Sequence, residues 1–189
     1  MTDQILRPKT SPANDVQSYA IDPAHSSAEF SVKHLMIATV KGRIAIANGH
    51  VAWNERDPGA SSIVAELPLA TIHTGDEKRD AHLRSADFFD VERHPTMRFE
   101  STDVQGAGDD YRVRGNLTIR GVTRPVTLEV EKDGVATDPW GNTKVALTAR
   151  TTIDRTEWGL TWNAALETGG VLVGDKVKVE LNVQLVEKK

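Results

Sequence analysis

The sequence predicts an all-β protein in which eight antiparallel strands close into a barrel, with one short helix at the barrel mouth. Three observations predict it. Apolar and polar residues alternate with the two-residue period of a strand along most of the chain. Turn-forming clusters separate the alternating runs. Too few residues remain to build helices that would cover a flat sheet, so the sheet must cover itself, as a sandwich or a closed barrel. Long strands joined by short turns favour the barrel.

Residues 1–18 are polar, carry Pro8 and Pro12 and show no period, so they are expected to form a mobile tail ahead of a single domain over residues 19–189. The first strand sets Ala28, Phe30, Val32 and His34 against Ser27, Glu29, Ser31 and Lys33. The second sets Val40, Gly42, Ile44 and Ile46 against Lys41, Arg43 and Ala45, and the third carries Ile63, Ala65, Leu67 and Leu69. Asp57-Pro58-Gly59 marks the turn between those two. Thr74 and Glu77 have the spacing of a capping box, and Arg84 sits where a helix dipole favours a cation. A short helix is therefore expected there, packed over one barrel end through Leu83, with Phe88 and Phe89 following. Met97, Phe99 and Ser101 open the fourth strand, and Tyr111, Val113, Gly115, Leu117 and Ile119 form the fifth. Arg120-Gly121 and Asp133-Gly134 are expected turns on either side of the Val126, Leu128, Val130 strand. Val145, Leu147, Ala149, Thr151 and Ile153 form the seventh, and Val177, Val179, Leu181, Val183 and Leu185 the eighth. Residues 155–175 fit neither period. A loop of that length in a compact domain is usually functional or mobile, and with the helix it is expected to flank one opening.

Composition excludes several functions. Zero Cys rules out disulfides, thiolate metal centres and a cysteine nucleophile. A net charge of −4 with interspersed signs argues against nucleic acid as a partner. No run approaches the ~18 apolar residues of a membrane span, so stable membrane insertion is not expected. The opening residues lack the apolar segment of a secretory signal, and a cytoplasmic location is expected. No phosphate-cradling glycine loop, nucleophile elbow or zinc-ligand spacing occurs, so neither cofactor nor metal is expected. His25, His34, Arg79 and Asp80 are the only candidates for a convergent polar set, too few to argue for an enzyme.

Several inward positions are small: Ala28, Gly42, Ala65, Gly115 and Ala149. Either they relieve crowding where the barrel tapers, or they leave an apolar cavity for a lipid. His34 is the one titratable group in an inward series. It is either a core histidine satisfied by a backbone carbonyl or a polar tip that meets a ligand's head.

Several segments together resemble the YceI-like family of lipocalin-like, polyisoprenoid-binding proteins. They are Asp22-Pro23-Ala24-His25-Ser26, Phe30 to Leu35, Thr74-Gly75, Arg79 to Asp90, His94-Pro95, Phe99 to Thr102 and Gly115 to Thr123. The resemblance runs from Tyr19 to the end of the chain. Trp158-Gly159 stands where the family often has Phe-Gly, a bulkier version. The resemblance implies a lipocalin-like barrel with an apolar tunnel for a polyprenyl chain, a quinone tail or a similar amphiphilic lipid, held for storage or transfer. It also implies a homodimer. The expected tunnel walls are Phe30, Val32, Ile44, Leu67, Leu83, Phe88, Phe89, Phe99, Val113, Leu117, Leu147, Trp158 and Leu181, with His34 as the polar contact. Sequestration of other lipophilic molecules, an enzyme acting on the bound lipid, and a solidly filled structural barrel remain as alternatives.

Overall fold

The computed structural model describes residues 16–167 and 169–188. Among the described residues are ten strands and one α-helix: β1 Val16–Ile21, β2 Ser27–His34, β3 Ala38–Ala45, β4 Asn48–Asn54, β5 Ser62–Pro68, α1 Glu77–Arg84, β6 Thr96–Ala107, β7 Asp110–Ile119, β8 Val122–Thr137, β9 Thr143–Asp154 and β10 Val173–Glu187. The first strand thus opens at Val16, ahead of Tyr19; of the expected tail, residues 1–15 lie outside the described residues.

The ten strands make a closed antiparallel barrel of eight staves, because two staves are broken. β10 pairs with β2 along Val173–Asn182 and with β1 at Leu185–Glu187, so β1 and β2 share one position in the barrel. β3 pairs with β2, and β4 with β1, so β3 and β4 share the next. The remaining staves follow in chain order from β5 to β10, and the β1–β10 pairing closes the ring. Closure removes free sheet edges and wraps one apolar face inside.

The break between β1 and β2 is built by Asp22-Pro23-Ala24-His25. Asp22 caps a single 3₁₀ turn by accepting from Ala24 N–H, and Pro23 sits at the start, where its missing donor costs nothing. The same carboxylate accepts from Gln184 Nε2 and Lys144 Nζ on the neighbouring staves. Burial alone would raise the Asp22 pKa, but hydrogen bonds from His25, Ala24 N–H and Lys144 outweigh it and hold the group below the usual aspartate value. This part of the motif is therefore a staple of the barrel wall.

Two local expectations are corrected. Asp133-Gly134 does not end a strand: β8 continues to Thr137, and the register shifts between Lys132 and Gly134 as a β-bulge. Arg120-Gly121 is the expected tight hairpin, with φ of 51° and 73°. The helix cap also moves. Asp76, not Thr74, accepts from Arg79 N–H at 2.8 Å, which leaves Glu77 as the first helical residue. Aspartate is the stronger cap of the two.

Thr74 has a different task. It donates from Oγ1 to Asp80 at 2.6 Å, and Asp80 also accepts Thr74 N–H and faces His73 Nδ1. Arg79 donates Nε to Thr74 Oγ1 and Nη2 to its carbonyl. Asp80 is buried. Burial pushes its pKa up, but the bonds from Thr74 and His73 win and leave it lowered. The cluster ties α1 to the segment that runs along β3, where Arg43 and His73 exchange backbone hydrogen bonds.

Candidate functional site

A cavity of about 520 Å³ occupies the barrel interior. Its walls follow from strand alternation. Phe30 and Val32 line it from β2, while Glu29 and Lys33 are exposed. β9 contributes Val145, Leu147, Ala149, Thr151 and Ile153, and β10 contributes Val177, Val179, Leu181, Val183 and Leu185. A slip of one residue would bury the charged positions, which fixes the register.

Twelve of the fourteen expected site residues line this cavity: Phe30, Val32, Ile44, Leu67, Leu83, Phe88, Phe89, Phe99, Val113, Leu117, Leu147 and Leu181. His34 and Trp158 do not. His34 closes β2 opposite Ala38 and Val173, half-buried, outside the cavity lining. Trp158 is only 1% exposed and donates Nε1–H to the Leu117 carbonyl at 2.9 Å. It packs with Phe88, Ile119 and Leu160 at the barrel end and borders a surface depression with Arg120 and Trp162. An indole with its donor committed to backbone is a plug rather than a wall.

The small inward residues divide into two kinds. Ala28, Ala65 and Ala149 line the cavity. Gly42 and Gly115 are already covered. A Cβ at Gly115 would stand 2.3 Å from Phe99 Cζ, and one at Gly42 would stand 2.4 Å from Phe30 Cζ. These glycines seat aromatic rings against the backbone and leave no room for a ligand there.

The two interruptions of the sheet meet at one end of the barrel. Trp162 contacts the His82 ring at 4.6 Å and the Phe88 ring at 5.3 Å between centroids. Leu83, Phe88 and Phe89 on the α1 side, and Leu160 on the loop side, line the cavity there. With Trp158 and Leu160 buried, this end is covered by side chains. Arg155 holds the cover in place. Its guanidinium is buried and donates to the carbonyls of Gly174, Leu160, Trp162 and Val173 and to Asp175. Burial lowers its pKa, opposed by Asp175 and Asp154. Sequence reasoning missed this role. The one signal was an arginine at the junction of the last regular alternation and a long irregular loop.

The opposite end carries most of the polar lining, Gln17, Glu55, Lys132, Thr143 and Glu187; Glu29 and Thr151 on the strands and Arg155 at the covered end supply the rest. Lys132 pairs with Asp109 at 3.2 Å, and Tyr19 donates its hydroxyl to Gln17. Burial raises the Tyr19 pKa, and Glu187 and Glu55 add to the rise. The rim residues come from β1, β8, β9 and β10 and from the residue after β4, so no local sequence pattern announces it.

The candidate catalytic groups do not converge. His25 pairs with Asp22 outside the barrel, Asp80 and Arg79 are engaged with Thr74, and the His34 side chain, at the end of β2, has no hydrogen-bond partner among the described residues. Among the described residues, no three His, Asp or Glu side chains stand close enough to share a metal ion.

Residues 19–185 match the model of the YceI-like domain family. A UPF0312 protein of Staphylococcus aureus strain N315 is 37% identical over 168 residues, covering 88% of this chain and 96% of its own. Burkholderia cenocepacia BcnA superposes with a TM-score of 0.72 at 22% identity, covering 87% of this chain and 98% of its own. A polyisoprenoid-binding domain from Saccharophagus degradans superposes with a TM-score of 0.67 at 13% identity, covering 91% and 99%. At such identities the two structures bear on the fold alone. The matched domain spans nearly the whole barrel, and the relative from Staphylococcus aureus is similar over almost its full length, so the chain belongs to the YceI-like domain family.

Proposed function

We propose that the protein binds one long-chain isoprenoid, or a similar amphiphilic lipid, along the barrel axis and shields it from water for storage or transfer. The observation that carries this reading is the axial cavity of about 520 Å³ with almost wholly apolar walls, covered at one end and polar at the other. A packed core of this size would hold few voids larger than a water molecule. Each isoprene unit buries about five carbons at ~0.8 kcal/mol, about 4 kcal/mol gross, before the cost of ordering the chain. Such a site selects by length and cross-section. The fold neighbour described as a polyisoprenoid-binding domain supports the same reading.

Passive binding is favoured over turnover because the sequence's catalytic candidates do not converge on the cavity: His25, Arg79 and Asp80 are committed to structural hydrogen bonds, and His34 lies outside the lining. A cytoplasmic homodimer completes the proposal, resting on the sequence reading. Cell fractionation and light scattering test those two elements directly. The binding reading is tested by native mass spectrometry after incubation with prenols of increasing length. One prenol per chain is expected, with affinity rising with chain length and levelling once the chain outgrows the cavity. No adduct at any length would overturn it.

A further inference from the structure

The β2–β3 hairpin ends in Leu35-Met36-Ile37, and these side chains are 38%, 59% and 83% exposed. Leu35 and Met36 have φ of +52° and +62°, the left-handed conformation that a tight hairpin normally assigns to Asn or Gly. The turn thus keeps large apolar side chains where its backbone disfavours them, and the fold does not bury them. The tip is tied to the loop that covers one cavity end: Leu35 N–H donates to the Leu172 carbonyl at 2.9 Å, and the next residue, Val173, lines the cavity. Val171, also exposed, extends the apolar surface.

The outer face behind the tip is basic. Lys33 precedes the turn by two residues, and the register aligns Lys41 with Ser31 and Ser31 with Lys178, so Lys41 and Lys178 lie in one row across β3, β2 and β10. Lys33 reaches only Thr39, and among the described residues no carboxylate pairs with Lys33, Lys41 or Lys178. Of the acids nearby, Asp154 pairs with Lys176 and Thr156, Asp175 with Arg155, and Glu180 with Arg150, while the exposed Glu29 lies one row further from the tip, opposite Arg43, and the exposed Glu167 lies in the covering loop. In a chain of net charge −4, the row nearest the tip is thus basic beside an apolar point.

We propose that the β2–β3 tip is a membrane-docking element: Leu35, Met36 and Ile37 enter the interface of an anionic bilayer while Lys33, Lys41 and Lys178 meet its phosphates. A bilayer fits better than a second copy of the chain. Three side chains on a convex turn fall short of the ~800 Å² per partner of a stable dimer, and a two-fold contact would set the lysines against each other. A bilayer offers apolar depth and negative charge together, at the spacing the hairpin presents. Docking would bring the loop-covered end of the cavity against the lipid from which a ligand is drawn.

The test is flotation of the full chain with vesicles of phosphatidylcholine alone and of phosphatidylcholine mixed with phosphatidylglycerol. Binding to the mixed vesicles is expected, weakening as salt is raised. Ile37→Asp should reduce that binding by about tenfold, and Lys41→Glu with Lys178→Glu should abolish the preference for the anionic vesicles. These positions are exposed, so unchanged melting temperatures are expected. No binding by the wild-type chain, or equal binding by Ile37→Asp, would overturn the proposal. So would a dimer that Ile37→Asp converts to monomer, since the tip would then meet a second copy. Prenol binding to the soluble protein, followed in the same variants, reports on the cavity separately.

Discussion

Gly115 and Ala149 sit on inward faces and are both small, yet they do different things. Alternation along β7 and β9 is enough to place each of them inside, which was legible in the sequence. What lies above each was not, because the Phe99 ring that covers Gly115 comes from another strand. Gly115→Leu is therefore expected to overpack and destabilise the fold by at least 1–3 kcal/mol, roughly, in denaturant melts, without testing the cavity. Trp158 is a second case. Its two-residue spacing with Leu160 and Trp162 reads as a wall, but its burial at the barrel end depends on Leu117 and Ile119, some forty residues earlier. Trp158→Ala should cost about 3–5 kcal/mol, read as a shift of the denaturation midpoint. Asp80 gives a pH-dependent effect. Its folded pKa is lowered, so its stabilisation is complete above the unfolded value of about 3.9 and is lost as pH falls through the folded value. Asp80→Asn should be less stable than wild type at neutral pH, and the gap should narrow below about pH 4. A constant gap across that range would contradict the charged role assigned to Asp80.

At the scale of elements, regular alternation was readable and interruptions were not. The eight runs visible in the sequence are the eight staves, but the halves contributed by β1 and β4 were missed. Both precede or follow a break in a stave: Asp22 to Ser26 in one, Ile46 and Ala47 in the other. Short segments beyond a break carry too few alternations to register a period. Gly134 was read as a turn because a glycine after aspartate signals one locally, whereas pairing with β9 carries the strand through as a bulge. The helix start was misplaced by two residues because Thr74 and Glu77 have capping-box spacing while Asp76 makes the bond. Asp76→Ala should lower stability by about 1 kcal/mol, measured by thermal melting. The loop after β9 owes its order to Arg155, whose guanidinium gathers four carbonyls. Arg155→Met leaves those acceptors unpaired and should raise amide exchange across 160–174 well before the rest of the barrel opens.

For the whole molecule, closure and an apolar interior followed from the sequence, because eight half-apolar strands with no covering helices have nowhere else to put their faces. Whether the interior is filled did not follow, since volume depends on how rings from different strands fall across one another. The structure leaves about 520 Å³ inside. The central claim is that this space belongs to a lipid chain. Its most direct test is titration of a fluorescent prenyl probe into the wild-type protein and the Ala149→Leu variant, with melting temperatures taken alongside. Ala149 lines the cavity and is buried, so the added carbons enter the space assigned to the chain. Saturable binding by the wild type, reduced at least tenfold, or about 1.4 kcal/mol, in a variant that melts at the wild-type temperature, is the expected result. A wild type that takes up no probe, or an Ala149→Leu variant that binds it equally well, would contradict the claim.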